Sequence, residues 1–230
     1  MTKLITAALL LLFSFAAKAQ ITEKIRIKAG ENISEALSTH GLYKFPAFDL
    51  GTVLFKDGST TNAKMNFNVF MNAIQFIGNN GDTMVIDKPE LIDTIKIDSS
   101  VFIYKKEYME VIADYNGSKL LRQQKISSEN IKNGAFGLPS PGASIESYGR
   151  STSTTSINQL TLNEDIVVER QTSYSLSYKK FCSAHANQSG FFDAFPGIKK
   201  EILDFINQNK TDFKKEDDLK KLLQFCAQHS

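Results

Sequence analysis

The sequence predicts an α+β protein: an antiparallel meander β-sheet, sandwich-like or partly rolled, followed by two or three C-terminal helices packed on it. Three observations carry that expectation. Apolar and polar residues alternate at period two through much of residues 50–180, as half-buried strands require. The turn dipeptides Asp57-Gly58, Asn80-Gly81 and Asn116-Gly117 separate these runs at spacings too short for crossover helices. Beyond residue 183 the period lengthens to that of amphipathic helices.

The chain begins with Lys3, an apolar run from Leu4 to Ala17, and the small-x-small pattern Ala17-Lys18-Ala19. The run is too short to cross a hydrocarbon core of about 30 Å, and it lacks the polar stripe of a buried amphipathic helix. Residues 1–19 are therefore expected to be a cleaved signal peptide, and residues 20–230 a single domain. Residue 20 is Gln rather than Cys, so no lipoprotein anchor is expected. No later run reaches 18 apolar residues, so no transmembrane segment is expected after signal removal. The expected location is secreted or periplasmic, where thiols oxidise readily.

A short helix is read at 34–38 and a turn at Pro46. In the run after Asp57-Gly58, Ala63, Met65, Phe67 and Val69 fall on one face, and Asn62, Lys64, Asn66 and Asn68 on the other. Asn-Gly at 80–81 and 116–117 suits type I′ hairpins, whose central residues both need positive φ. Residues 94–98 and 101–104 supply further short strands. The tract 133–163 differs: 14 of its 31 residues are Gly, Ser or Thr, and only Glu146 and Arg150 are charged. It buries too little apolar surface to offset ordering entropy and is expected to be a flexible loop. Strand signals resume at 165–170 and 173–178, where Tyr174, Leu176 and Tyr178 alternate with serines.

The helical part spans 183–230. Phe195-Pro196-Gly197 marks a break, after which Ile198, Ile202, Leu203 and Ile206 form one face. Thr211-Asp212 precedes the last helix, whose Leu219, Leu222, Leu223 and Cys226 fall at i, i+3, i+4 and i+7. Glu216, Asp217 and Asp218 in its first turn complement the helix dipole.

Three stretches carry a resemblance: Lys44-Phe-Pro-Ala-Phe-Asp-Leu-Gly-Thr-Val-Leu-Phe-Lys-Asp-Gly58, Gln75-Phe-Ile-Gly-Asn-Asn-Gly-Asp-Thr-Met84, and a third from Phe195-Pro-Gly-Ile-Lys-Lys-Glu-Ile202 through Asp212-Phe-Lys-Lys-Glu-Asp-Asp-Leu-Lys-Lys-Leu-Leu-Gln-Phe225. In these the chain resembles an uncharacterised family of small secreted or envelope proteins of Bacteroidetes-type bacteria. The resemblance implies an envelope or secreted location and brings no catalytic group. It also draws attention to Asp82-Thr83-Met84 and Asp93-Thr94-Ile95, which match the Asp-Thr-apolar O-glycosylation pattern of such bacteria. Both threonines equally suit strand starts.

The chemistry is sparse. Removing residues 1–19 takes away Lys3 and Lys18, leaving 25 basic against 25 acidic residues, so no nucleic-acid partner is expected. The three histidines, His40, His185 and His229, stand without a nucleophile-elbow motif, and no phosphate-binding glycine loop occurs. Paired acids, Glu164-Asp165 and Glu216-Asp217-Asp218, could serve acid–base work, but acids beside an amphipathic helix start are read as dipole partners instead. Asp82 lies in a hairpin turn, not in an EF-hand pattern. No residue is therefore assigned a catalytic, cofactor-binding or metal-binding role, and no cofactor is expected.

Cys182-Ser-Ala-His185 and Cys226-Ala-Gln-His229 share a C-x-x-H spacing that four-coordinate zinc accepts. Counting by twos from Tyr178 brings Cys182 onto the face of Tyr174 and Leu176, provided the strand continues through Lys180. Cys226 lies on the apolar stripe of the last helix. A disulfide between them is favoured over two buried thiols, and both over zinc. The functional expectation is a non-catalytic extracytoplasmic binding or structural protein of the cell envelope, its partner a protein or an envelope ligand. The alternative is an envelope hydrolase with an acid-based site. Convergent acids of raised pKa in a deep pocket distinguish the second from the first.

Overall fold

The computed structural model describes residues 20–31, 41, 43–133, 139–144, 165–178, 181–183 and 185–230. The expected signal peptide, the helix read at 34–38 and most of the tract 133–163 lie outside the described residues. Twelve strands form one antiparallel sheet: β1 (Gln20–Ile27), β2 (Asp49–Phe55), β3 (Thr60–Asn68), β4 (Ala73–Ile77), β5 (Thr83–Val85), β6 (Ile92–Ile97), β7 (Ser100–Tyr104), β8 (Tyr108–Tyr115), β9 (Ser118–Asn133), β10 (Pro139–Ser144), β11 (Ile166–Tyr178) and β12 (Phe181–Ser183). Their order is β1-β11-β9-β8-β7-β6-β2-β3-β4-β5, with β10 beside β9 and β12 beside β11. Three helices follow: α1 (Gln188–Ala194), α2 (Lys199–Asn209) and α3 (Glu216–His229). The α+β class and the antiparallel meander are those the sequence predicts. The paired strand β10 falls inside the tract expected to be a loop.

Local chemistry explains the turns. Asn116 (φ 54°) and Gly117 (φ 82°) are both left-handed and set Tyr115 opposite Ser118 in the expected two-residue turn. At Asn80-Gly81 only Gly81 is left-handed, and the Gly78 N–H donates to the Asp82 carbonyl (2.8 Å). That link is a longer loop than the type I′ turn read from the dipeptide.

One face of the sheet gathers nearly all the core. On the half formed by β8, β9 and β11, Leu120, Tyr174 and Leu176 are buried against Phe191, Ile202, Ile206, Leu219, Leu222, Leu223 and Cys226 of the helices. Leu203, expected on the apolar face of α2, is 40% exposed instead. The other half rolls onto itself around Val53, Met65, Phe67, Ile74, Ile95, Ile97 and Phe102. The roll is visible in contacts between distant strands: Phe70 and Tyr43, near the β3 end, pack against Ile27 of β1 and Val168 of β11. Gly51 permits the curl at the middle of β2. A Cβ there would stand 2.6 Å from Met65 Cε and 2.8 Å from the Lys96 carbonyl.

Asn72, left-handed at φ 45° in the link between β3 and β4, clasps the roll shut. Its Oδ1 accepts from the Tyr108 N–H (2.8 Å) and its Nδ2 donates to the Tyr108 carbonyl (3.3 Å). On the opposite face of β3, Asn66 and Asn68 are buried rather than solvated as alternation suggests. The chain at 43–47 covers them. Asn66 accepts from the Phe45 N–H and donates to the Phe45 and Ala47 carbonyls, so its burial leaves no polar atom stranded. Asn68 and the Tyr43 hydroxyl both donate to Gln75 Oε1.

Replacing Asn72 should separate its two contributions. Asn72→Gly keeps the left-handed backbone but loses the clasp, at a cost of about 1–2 kcal/mol. Asn72→Ala adds conformational strain and should cost about 1 kcal/mol more. Urea-denaturation midpoints ranked wild type, Gly, Ala check this; equal midpoints for all three would remove the clasp from the account.

Candidate functional site

Between the helix-covered half and the rolled half of the same sheet face runs a seam of charge. Glu110 of β8 stands at its centre, with only 11% of its side chain exposed. Three neighbours donate to it: Ser100 Oγ of β7 (2.9 Å), Lys44 Nζ (2.9 Å), and Arg122 of β9 through Nη2 (2.6 Å) and Nε (3.1 Å). Arg122 Nη1 then reaches Glu216 of α3 (2.9 Å), and Lys220, one helical turn on, meets the other oxygen of Glu216 (2.6 Å). Burial alone would raise the Glu110 carboxyl. The hydrogen bonds and charges of Lys44 and Arg122 outweigh it and hold the group below the usual carboxylate range. Tyr174, beside this seam, is pushed up by burial and by the Glu216 charge.

Two shallow hollows adjoin at the far end of the helical layer. One, about 410 Å³, is lined by Tyr178, Asp193, Phe195, Pro196, Gly197 and Ile198, with Ala194 and Ser230. The other, about 280 Å³, lies between the Asn116-Gly117 turn and Ala227 of α3, and shares Tyr178 and Ser230 with the first. The Tyr178 ring packs on the Phe195 ring with centroids 4.9 Å apart. Each wall has a local cause. Asn187 caps α1 by accepting from the Gly190 N–H (2.9 Å). Pro196 then ends that helix and turns the chain into α2, which places Phe195 and Ile198 on the rim.

The residues singled out from sequence are scattered. Asp165 accepts from the Ala29 N–H (2.8 Å) and pairs with Arg26 (2.6 Å), which together hold its carboxyl low; Glu164 lies outside the described residues. Of the acids starting α3, Glu216 belongs to the seam and Asp218 accepts from the Asp212 N–H (3.0 Å). The Asp82 carbonyl closes its hairpin loop. Thr83 sits on the edge strand β5 and Thr94 within β6, both partly exposed. His229 Nδ1 lies 2.8 Å from the Phe225 carbonyl, His185 is exposed, and His40 lies outside the described residues. Among the described residues no group of three His, Cys, Asp or Glu side chains is placed to hold a metal ion.

The favoured disulfide is not formed: Cys226 carries a free, buried thiol. β11 ends at Tyr178, and β12 pairs back on it antiparallel, with Cys182 opposite Ser177. Cys182 thus takes the register of Ser177, whereas the helices meet Tyr174 and Leu176. Burial pushes the Cys226 thiol up to about 12. Sequence reading missed the seam altogether. Its signal was a glutamate and an arginine in the two strands of one hairpin, Glu110 and Arg122 about the Asn116-Gly117 turn.

Among the described residues, the carboxyls with a resolved shift, Asp57, Glu110, Asp165 and Glu169, all move down, as accepted hydrogen bonds and adjacent cations dictate, and none of these four is tuned upward as a general acid would be. Comparison with protein-family models, curated proteins and solved structures finds no match to this chain.

Because the folded Glu110 lies below its unfolded value, its stabilisation is complete above about pH 4.5 and is lost as pH falls through the folded value. Glu110→Gln should cost about 2–4 kcal/mol at pH 7, since Arg122 and Lys44 lose their partly buried counterion. The deficit should shrink below pH 4. Urea melts at pH 7 and pH 3.5 measure it, and a deficit that does not change with pH rejects the linkage.

Cys226 should resist a thiol reagent at pH 8 in the native protein, because almost no thiolate forms there. It should react once the protein is denatured without reductant. Peptide mapping after labelling separates it from Cys182, and labelling of Cys226 in the native state would overturn the burial argument.

Proposed function

We propose that the protein is an exported, non-catalytic binding or structural component of the cell envelope. The observation that carries this reading is the contrast between the charged seam and the open hollow. The acids that converge, Glu110 and Glu216, are engaged by Lys44, Arg122 and Lys220. The open hollow is mostly apolar, and Asp193 is the one charged side chain among its described lining residues. An acid-based hydrolase needs two carboxyls facing one substrate with their pKa values set apart. A shallow apolar groove instead suits recognition.

Export is supported by the Ala17-Lys18-Ala19 pattern that follows the apolar run from Leu4 to Ala17. No helix among the described residues is long and apolar enough to cross a membrane.

Expression of the full chain in a bacterial host, followed by fractionation and intact-mass measurement, tests the location. The expected product is extracytoplasmic and begins at Gln20, whereas cytosolic protein that keeps residues 1–19 contradicts export. Incubating the purified protein with isolated envelope material should release no soluble fragments. Release that disappears on replacing Asp193 or Glu216 would establish the hydrolase instead.

A further inference from the structure

We infer that the free edge of β5 is a contact site for a second copy of this chain, the two β5 strands pairing antiparallel across a two-fold axis. β1 and β5 are the outer strands of the sheet path, and among the described residues each is paired on one side only. The two edges are finished differently. β1 carries Glu23, Lys24 and Arg26, with side chains 60–67% exposed. Charges of this kind keep a free edge from pairing with its own kind. β5 has none. It reads Thr83-Met84-Val85, and Met84 (50%) and Val85 (38%) are two of the five exposed large apolar side chains among the described residues. Met84 shares the face of Phe76 and Val85 that of Gln75, so exposed apolar surface flanks the edge on both faces.

The backbone shows which groups the edge offers. The Asp82 carbonyl accepts from the Gly78 N–H (2.8 Å), and the Ile86 N–H donates to the Ile74 carbonyl (3.4 Å), so these two residues face β4. Backbone groups alternate in direction along a strand, and those of Thr83 and Val85 therefore point away from β4. A two-fold axis normal to the sheet opposes residues whose numbers have an even sum, because facing side chains share a face. Centred on Met84, it sets Thr83 opposite Val85 of the second copy on both sides of the axis, which forms about four hydrogen bonds. The two Met84 side chains meet at the axis, Asp82 falls opposite Ile86, and no like charges oppose. The same operation on β1, centred on Glu23, Lys24 or Ile25, sets Glu23 against itself, Lys24 against itself, or Lys24 against Arg26. Self-pairing is thus admitted at β5 and opposed at β1. A three-residue edge makes a small contact, so the association is weak and reversible.

The test is sedimentation velocity on the full-chain protein, purified from whichever fraction holds it, from about 5 µM to about 1 mM. The mean mass should rise toward that of a dimer, with Kd on the order of 0.1 mM. Met84→Lys and Met84→Glu each place like charges at the axis and should each weaken association about tenfold or more. An equimolar mixture of the two should associate at least as well as wild type. Val85→Pro removes an outward N–H that β4 does not use and should weaken the dimer without lowering the melting temperature. Glu23→Gln on β1 should leave association unchanged. A chain that stays monomeric at every concentration overturns the inference, as does a dimer that survives both Met84 variants, or a mixture of them that does not associate. Self-association at β5 does not depend on the envelope reading above, and the fractionation and hydrolysis assays can fail or succeed without it.

Discussion

The structure hangs on the ladder between β9 and β11. Thirteen residue pairs, from Ile166 opposite Asn130 to Tyr178 opposite Ser118, run without a register shift. On one face of β9 this ladder fixes Leu120, Arg122 and Ile126 in a row, and each serves a different part of the molecule. Leu120 lies under the helices, Arg122 holds the charged seam, and Ile126 packs into the rolled half. Side chains in a strand alternate, so a slip of one residue would send all three to the other face. The ladder is therefore the strongest constraint on the positions of the helical layer and the roll relative to each other.

The seam acts on the same relationship in a different way. Removing one member of a buried ion cluster is costly, but replacing the whole cluster with apolar groups of equal volume is often neutral or favourable. Net stability is thus a poor explanation for Glu110, Arg122 and Glu216. Orientation is a better one. The apolar contacts of Leu219, Leu222, Leu223 and Cys226 of α3 in the cluster with Leu120 and Leu176 are non-directional. The Arg122–Glu216 contact is directional, because hydrogen bonds weaken steeply with distance and angle. Lys44 extends the same control to the chain that covers Asn66 and leads into β2, so one carboxylate orients both layers.

How much of this was legible in the sequence follows from what alternation encodes. Period two reveals which residues share a face, and it placed Met65, Phe67, Tyr174 and Leu176 correctly. It does not reveal what covers that face, so Asn66 and Asn68 read as solvated until the chain at 43–47 folds over them. Hairpin counting has a similar limit. The Asn116-Gly117 turn sets Tyr115 opposite Ser118, and counting back from there pairs Glu110 with Gln123. A bulge between Val111 and Ala113 shifts the register by one and brings Arg122 to Glu110 instead. Bulges leave little trace in a single sequence, and the seam was hidden behind this one. Cys182 was misplaced for a related reason: β12 pairs back on β11, and neither Gly nor Pro in the sequence between the two strands signals it.

The groove was legible only in pieces. The Asn-Gly turn, the Phe-Pro-Gly break and the last helical stripe each stood out locally, but their meeting at Tyr178 depends on tertiary packing. α3 lies along the sheet, with Glu216 at the seam and Ala227 in the groove. One end is held by a directional ion pair, and the other rests on apolar contacts with Tyr178 as a neighbour. An opening is more readily tolerated at the second end, because a gap there leaves no buried charge without its counterion. The seam's closed electrostatics thus favour a recognition surface at the opposite end of the same helix, where rings and helix termini, rather than paired charges, meet the solvent.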